Sequence, residues 1–201
     1  FQFITTNAGS ATTKGVEFET EFAPRAIPGF TARAVLAYNK ARYKDYLSPC
    51  YGGQSTTAGC TGTFQGGPGQ DLSGVPTALA PEWTGNLGFN YESDVSNDLV
   101  FMTSANMRYS SSYLGSSFGH PLSRQGSYAV LDGTIGVKTA DDRLEFSLLG
   151  KNLTNKFYIS GVQEQPNSGS GTGTPGGIPS DIVGLVALPR TIMAQVTARF
   201  R

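Results

Sequence analysis

Cys50 and Cys60 stand ten positions apart in a stretch full of Gly, Ser and Thr. In an oxidising compartment that arrangement fits a small loop staple; elsewhere it fits two unpaired thiols. The staple is the expectation for an exported chain. His120 is the only histidine and there is no second cysteine pair, so a zinc ligand set is not expected. Scattered Ser and Asp around one His make no nucleophile–base–orienter set, and no Gly-rich phosphate loop leads from a strand into a helix. The sequence therefore predicts no catalytic residue, no cofactor and no metal. Side chains suited to recognition remain: Tyr46, Tyr51, Phe64, Phe118 and His120 in irregular stretches, and Asn106, Arg108 and Lys151 in alternating ones.

The elements that must position these residues are strands, because apolar residues recur with a period of two. The first segment reaches about Ala23 and puts Val16, Phe18, Thr20 and Phe22 opposite Glu17, Glu19 and Glu21. Three carboxylates in a row suit a wet face and not a dry core. The second segment, about Phe30–Tyr46, sets Phe30, Ala32, Ala34, Leu36 and Tyr38 against Thr31, Arg33 and Asn39. The third, about Glu82–Glu92, sets Trp83, Leu87, Phe89 and Tyr91 against Thr84, Asn86 and Asn90. The fourth, about Leu99–Tyr113, sets Leu99, Phe101, Met107 and Tyr109 against Ser104, Asn106 and Arg108. The fifth, about Ser127–Lys138, opposes Leu131, Ile135 and Val137 to Asp132, Thr134 and Lys138. The sixth, about Arg143–Tyr158, opposes Leu144, Phe146 and Leu148 to Arg143, Glu145, Ser147 and Lys151. The closing run alternates from Thr191 to Phe200–Arg201, with Ile192, Ala194, Val196 and Ala198 on its apolar side.

Composition fits strands that meet lipid on one side and water on the other. Hydrophobic residues are 38% and charged residues 15% of the chain, both low for a soluble domain, while 26 Gly, 9 Tyr and 12 Phe are many. No apolar run approaches the roughly 18 residues of a membrane-spanning helix. The zero formal net charge offers no basic surface for nucleic acid. The chain starts at Phe1 inside what reads as a strand, without initiator Met or signal peptide, which suggests a piece of something larger.

Connections alternate in length. Short ones fall at Pro24–Gly29, Ser93–Asn97 and Ala140–Asp142; long ones fall near Leu47–Ala80, Leu114–Gln125 and Ile159–Val183, the last holding the Gly-rich Ser168–Gly177. An outer-membrane barrel sorts its loops this way, with short periplasmic turns and long extracellular loops. An odd count of seven cannot close antiparallel, so further strands are expected outside this chain. A self-contained small barrel or surface β domain with an adhesive or structural role is the alternative. It needs an eighth strand, from splitting Phe1–Ala23 at Asn7–Ser10, and pairing of first and last strands. Trp83, Tyr91, Tyr109, Tyr113, Phe157, Tyr158 and Phe200, near strand ends, are expected to form an aromatic girdle.

Four motifs in order resemble one family. Asn7-Ala-Gly-Ser-Ala-Thr-Thr-Lys-Gly-Val-Glu17, Asp71-Leu-Ser-Gly74 followed by Ala80-Pro-Glu-Trp-Thr84, Gly150-Lys-Asn-Leu-Thr-Asn155 and Pro189-Arg-Thr191 look like the late-barrel signatures of TonB-dependent outer-membrane receptors. The resemblance implies that residues 1–201 form the C-terminal portion of a 22-stranded barrel: all-β, an antiparallel meander of about seven long strands, an open arc of the whole. It implies TonB-driven import of a scarce nutrient of the siderophore, cobalamin or oligosaccharide class across the bacterial outer membrane. The plug and the TonB-contacting segment would lie outside this chain. Implied partners are outer-membrane lipid, TonB through that missing plug segment, the barrel-assembly machinery through the C-terminal strand, and the nutrient ligand. Arg201 after Phe200 departs from the family's usual aromatic terminus. Ligand contacts would come from the loop residues Tyr46, Tyr51, Phe64, Phe118 and His120 and the lumen residues Asn106, Arg108 and Lys151. For Arg108 and Lys151, ion pairing with Asp132 or Glu145 is the plainer expectation.

Overall fold

The computed structural model describes residues 9–166 and 180–200; Asn7, the Ser168–Gly177 loop and Arg201 lie outside them. Seven strands form one antiparallel meander. They are β1 Ser10–Phe22, β2 Phe30–Asp45, β3 Trp83–Asp94, β4 Leu99–Ser110, β5 Tyr128–Thr139, β6 Leu144–Lys151 and β7 Thr191–Ala198. Each pairs with its neighbours in sequence order, and β1 and β7 form no ladder with each other among the described residues. The sheet is an open arc, and the self-contained barrel lacks the closure it requires.

Register joins the seven separate alternations into two continuous faces. Phe18 faces Leu36 across β1 and β2, and Ala34 faces Leu87 across β2 and β3. Leu87 is paired with Met107, and Met107 with Leu131. Farther down, Ile135 meets Leu148, and Leu148 meets Ala194. Since side chains of paired residues point to the same side, every apolar parity lies on one surface. That surface has no protein cover: Val16 is 71%, Phe18 60% and Leu148 53% exposed. In water such a face would drive association; against hydrocarbon it needs none.

Turns at the lower end are tight. Between β1 and β2, the Ile27 amide donates to Pro24 O (3.1 Å) and Phe30 to Ile27 O (3.2 Å). Gly29 there has φ +78°, and an added Cβ would stand 1.9 Å from the Glu92 carbonyl oxygen, so only glycine fits. Between β5 and β6, the Thr139 hydroxyl accepts the Arg143 and Leu144 amides, both at 3.1 Å.

Two expectations change. The sixth strand was expected to run to Tyr158, but β6 stops at Lys151. Asn152 and Asn155 take positive φ (48° and 50°), and the Leu153 amide turns back to donate to Leu131 O at 2.7 Å. Leu153 lands on the cross-strand glycine pair Gly133–Gly150, where a Cβ on Gly150 would be 2.4 Å from its Cδ2. Tyr158 consequently leaves the wall and stacks on Tyr128 (centroids 4.3 Å), on the parity opposite the apolar face. Tyr113 joins that inner group, its hydroxyl donating to Ile159 O at 3.4 Å. Neither belongs to an outer girdle. Tyr38 and Trp83 do share the apolar face, with rings 4.9 Å apart.

The second change concerns the long loops, whose described residues hold regular strands. Leu47–Pro49, Gly67–Asp71 and Gly62–Phe64 form a small three-stranded sheet, and Ile159–Pro166 pairs with Ser180–Val186. The few buried apolar side chains, Ala41, Tyr46, Leu72 and Val130, include two inside these loops.

Candidate functional site

The long loops sit together at one end of the arc and form a cap. Polar side chains fasten them, because loop backbones that leave a sheet must find other partners for their amides and carbonyls. The Cys50–Cys60 disulfide, with Cα atoms 5.7 Å apart, closes the tip of the 46–82 segment. Buried Gln70 donates to Pro49 O and to Phe118 O, both at 2.9 Å, and accepts Gln54 Nε2 at 3.0 Å. It therefore ties the 46–82 segment to the 111–127 segment. Leu79 N adds a bond to Leu114 O at 2.8 Å. The hairpin Ile159–Pro166/Ser180–Val186 is held to the 111–127 segment in turn. Ile159 N donates to Gln125 Oε1 at 2.7 Å, the Ser116 hydroxyl donates to the Glu164 carboxylate, and Val162 packs where any side chain on Gly115 would sit.

His120 stands at the junction of these loops. It is 6% exposed, its ring lies 4.6 Å from that of Tyr51, and its Nδ1 accepts the Leu122 amide at 3.2 Å. Burial pulls its pKa below the usual histidine value, against a smaller opposing pull from Glu164. Tyr46 is also buried, with its ring 4.4 Å from Tyr43, and burial followed by the Tyr43 phenol raises its pKa. Tyr46 and His120, expected as loop residues that contact a ligand, are thus interior side chains of the cap. Tyr51, Phe64 and Phe118 are half-buried.

Below the cap the inner face of the arc is polar. Arg33, Gly88, Asn106 and Asp132 share one cross-strand row, and Val35, Asn86, Arg108 and Val130 share the next. A cavity of about 630 Å³ is lined by Arg33, Asn86, Asn106, Arg108, Asp132 and Lys151. Asn86 and Asn106 exchange side-chain hydrogen bonds of 3.1 and 2.8 Å. Arg33 pairs with Glu19. Arg108 (3.8 Å) and Lys151 (3.5 Å) both approach Asp132 Oδ2, while Asp132 Oδ1 accepts the Asn152 amide at 2.8 Å. Glu145, the other expected partner, instead meets Arg199 at 3.3 Å. It lies six residues down β6 from Lys151, roughly 20 Å along a strand. Two cations thus share one carboxylate, and the Arg108 guanidinium makes no hydrogen bond among the described residues. Asn106, Arg108 and Lys151 therefore stand together, whereas the loop candidates lie in the cap above them.

Arg33 and Asn86 were missing from the expected lumen set, although both fall on the polar parity that selected Asn106 and Arg108. Gln70, Ser116 and Glu164 were also missing, and no local signal marks them. The arrangement offers charge, amide groups and aromatic edges for binding. Among the described residues no group of three metal-ligating side chains converges.

Comparison with known proteins places the chain. Residues 1–153 match the model of the family described as TonB dependent receptor-like, beta-barrel. Among solved structures, the chain is similar to the ferric yersiniabactin uptake receptor FyuA from Yersinia pestis, at TM-score 0.66 and 18% identity. The match covers 97% of this chain and 24% of that one, so the chain spans about a quarter of the structure's length. No curated protein matches the sequence.

Proposed function

This chain belongs to the TonB-dependent receptor β-barrel family, and from that premise we propose that it is the C-terminal portion of an outer-membrane transporter. The complete receptor takes up a scarce nutrient of the siderophore, cobalamin or oligosaccharide class, driven by TonB acting on a plug segment outside this chain. Residues 1–201 supply barrel wall, lumen lining and part of the extracellular cap. The observation that carries the reading is the register, which gathers all seven apolar parities on one uncovered face and most of the charged and amide side chains on the other, the Lys14–Lys40 pair being an exception. Lipid is the partner of the first face. The C-terminal strand β7 is the segment offered to the barrel-assembly machinery.

Ligand recognition falls to Tyr51, Phe64 and Phe118 in the cap and to Asn106, Arg108 and Lys151 in the lumen, with Tyr46 and His120 shaping the cap from inside. Arg108 and Lys151 outnumber the carboxylate between them, which favours a ligand carrying an anionic group. The test is uptake by cells carrying the complete receptor, using a panel of ferric siderophores, cobalamin and malto-oligosaccharides. Accumulation of one class that stops when TonB is removed supports the proposal. Accumulation that persists without TonB, as through an open pore, would sink it.

A further inference from the structure

His120, the only histidine of the chain, is hydrogen-bonded in a way that only its neutral form allows. Its Nδ1 faces the Leu122 amide N–H and accepts from it, so the ring proton sits on Nε2. Adding a proton converts Nδ1 from acceptor to donor and sets two N–H groups against each other. The ring must then turn away, or the Pro121–Ser123 turn that it caps must open. That turn supports the rest of the segment: Ser123 Oγ donates to His120 O at 2.6 Å and accepts the Ser116 amide at 3.1 Å, and Ser123 O accepts Gly115 N at 2.9 Å.

The ring is enclosed from every loop of the cap. The Tyr51 ring packs against it at a tilt of 49° from the 46–82 segment, and Leu72 lies 3.3 Å from where a Cβ on the adjacent Gly119 would stand. The titratable groups facing it are Tyr51 and, from the hairpin, Glu164; Tyr46 faces the neighbouring Ser117, and exposed Arg124 follows the turn. Tyr46, its pKa raised by burial, carries no charge where histidine titrates, and the Glu164 carboxylate is the group that counters burial by favouring the protonated ring.

We propose that His120 is an acid-sensitive latch of the cap, whose protonation releases the 111–127 segment from the 46–82 segment and loosens the roof over the lumen. Because burial lowers the pKa in the closed cap, the open state takes up the proton first as pH falls. The latch is therefore at full strength above the ordinary histidine value of 6.5 and weakens on acidification below it. The inference rests on cap geometry and does not depend on which nutrient is carried.

The experiment is hydrogen exchange on the complete receptor in detergent, comparing about pH 7.5 with about pH 5 after correction for intrinsic exchange. Each pH unit below the ordinary pKa can remove up to about tenfold of protection. We expect a loss on the order of tenfold in peptides spanning 111–127 and 46–72, and no loss in β4. His120→Asn keeps an acceptor for the Leu122 amide and cannot titrate, so its cap should stay protected at both pH values. Glu164→Gln removes the charge that favours the protonated ring in the closed cap, lowers that pKa further and should leave the acid loss of protection at least as large as in the native receptor, which provides a second reading should His120→Asn not assemble. Equal protection in the native receptor at both pH values, or acid loss undiminished in His120→Asn, overturns the latch. So does an acid loss that Glu164→Gln diminishes.

Discussion

Asn152→Ala should loosen the junction between β6, the cap hairpin and β7 more than any other single polar truncation in that region. The Asn152 side chain is 4% exposed and makes three hydrogen bonds. Its Nδ2 donates to Lys156 O at 2.9 Å and to Leu188 O at 3.1 Å, and its Oδ1 accepts the Lys156 amide at 2.8 Å. The contact with Leu188 is the valuable one, because it pins the residues before β7 to the end of β6 across 36 positions. At about 1 kcal/mol net for each bond, truncation loses about 3 kcal/mol. Asn152 also sits at φ +48°, which Asn tolerates and Ala adopts at a further cost of about 1 kcal/mol. The expected local destabilisation is about 4 kcal/mol for Ala and about 3 kcal/mol for Gly, which loses the bonds but relieves the backbone. Hydrogen exchange in the complete receptor reads this directly: amides of residues 152–158 and 186–192 should exchange about 100-fold faster or more in both variants, with Ala the faster. Asn155→Ala, which removes the acceptor of the Arg190 amide (3.0 Å) and puts Ala at φ +50°, should cost about 2 kcal/mol, about 1 kcal/mol for the bond and about 1 kcal/mol for the backbone. Exchange in Asn152→Ala within threefold of native would refute the reasoning, and equal rates for Ala and Gly would refute its backbone part.

Replacing Cys50 and Cys60 by Ser opens a loop of ten residues, with an expected loss of about 2–3 kcal/mol confined to the cap; proteolytic nicking within 46–82 should rise while the wall stays intact, and nicking of the wall strands instead would contradict the separation of cap from wall. Leu87 and Asn90 lie on the same strand with opposite facing. Leu87→Arg puts a charge toward hydrocarbon at about 2–4 kcal/mol near midplane and should cut the yield of assembled receptor, whereas Asn90→Arg, pointing into the cavity, should assemble normally; similar yields would mean the two faces have been assigned wrongly.

The resemblance of four short motifs and the period-two alternation already carried the family and the all-β arc, and the structure supplies physical grounds for one of those motifs. Gly150, Asn152, Leu153 and Asn155 form a strand terminator: the glycine leaves room for Leu153, and the two asparagines take left-handed backbone and bridge to residues before β7. The expectation that β6 continues to Tyr158 failed for the same reason. The apolar parity of Leu144, Phe146 and Leu148 would fall on Asn152, Thr154 and Lys156 past Lys151, and the backbone folds at Asn152, whose amide donates to Asp132 on the neighbouring strand.

Facing and approximate strand position were thus fixed by the sequence alone, because successive side chains on an extended chain point opposite ways whatever the strand pairs with. Register, the sharing of Asp132 by Arg108 and Lys151, and the interior placement of Tyr46 and His120 were decided only in three dimensions. Each depends on partners far along the chain: Gln70 meets Phe118 across 48 positions, and Ser116 meets Glu164 across another 48. A loop residue's local composition says that it is polar and free to turn. Whether it faces a ligand or fastens one loop to another depends on which segments the wall brings above it.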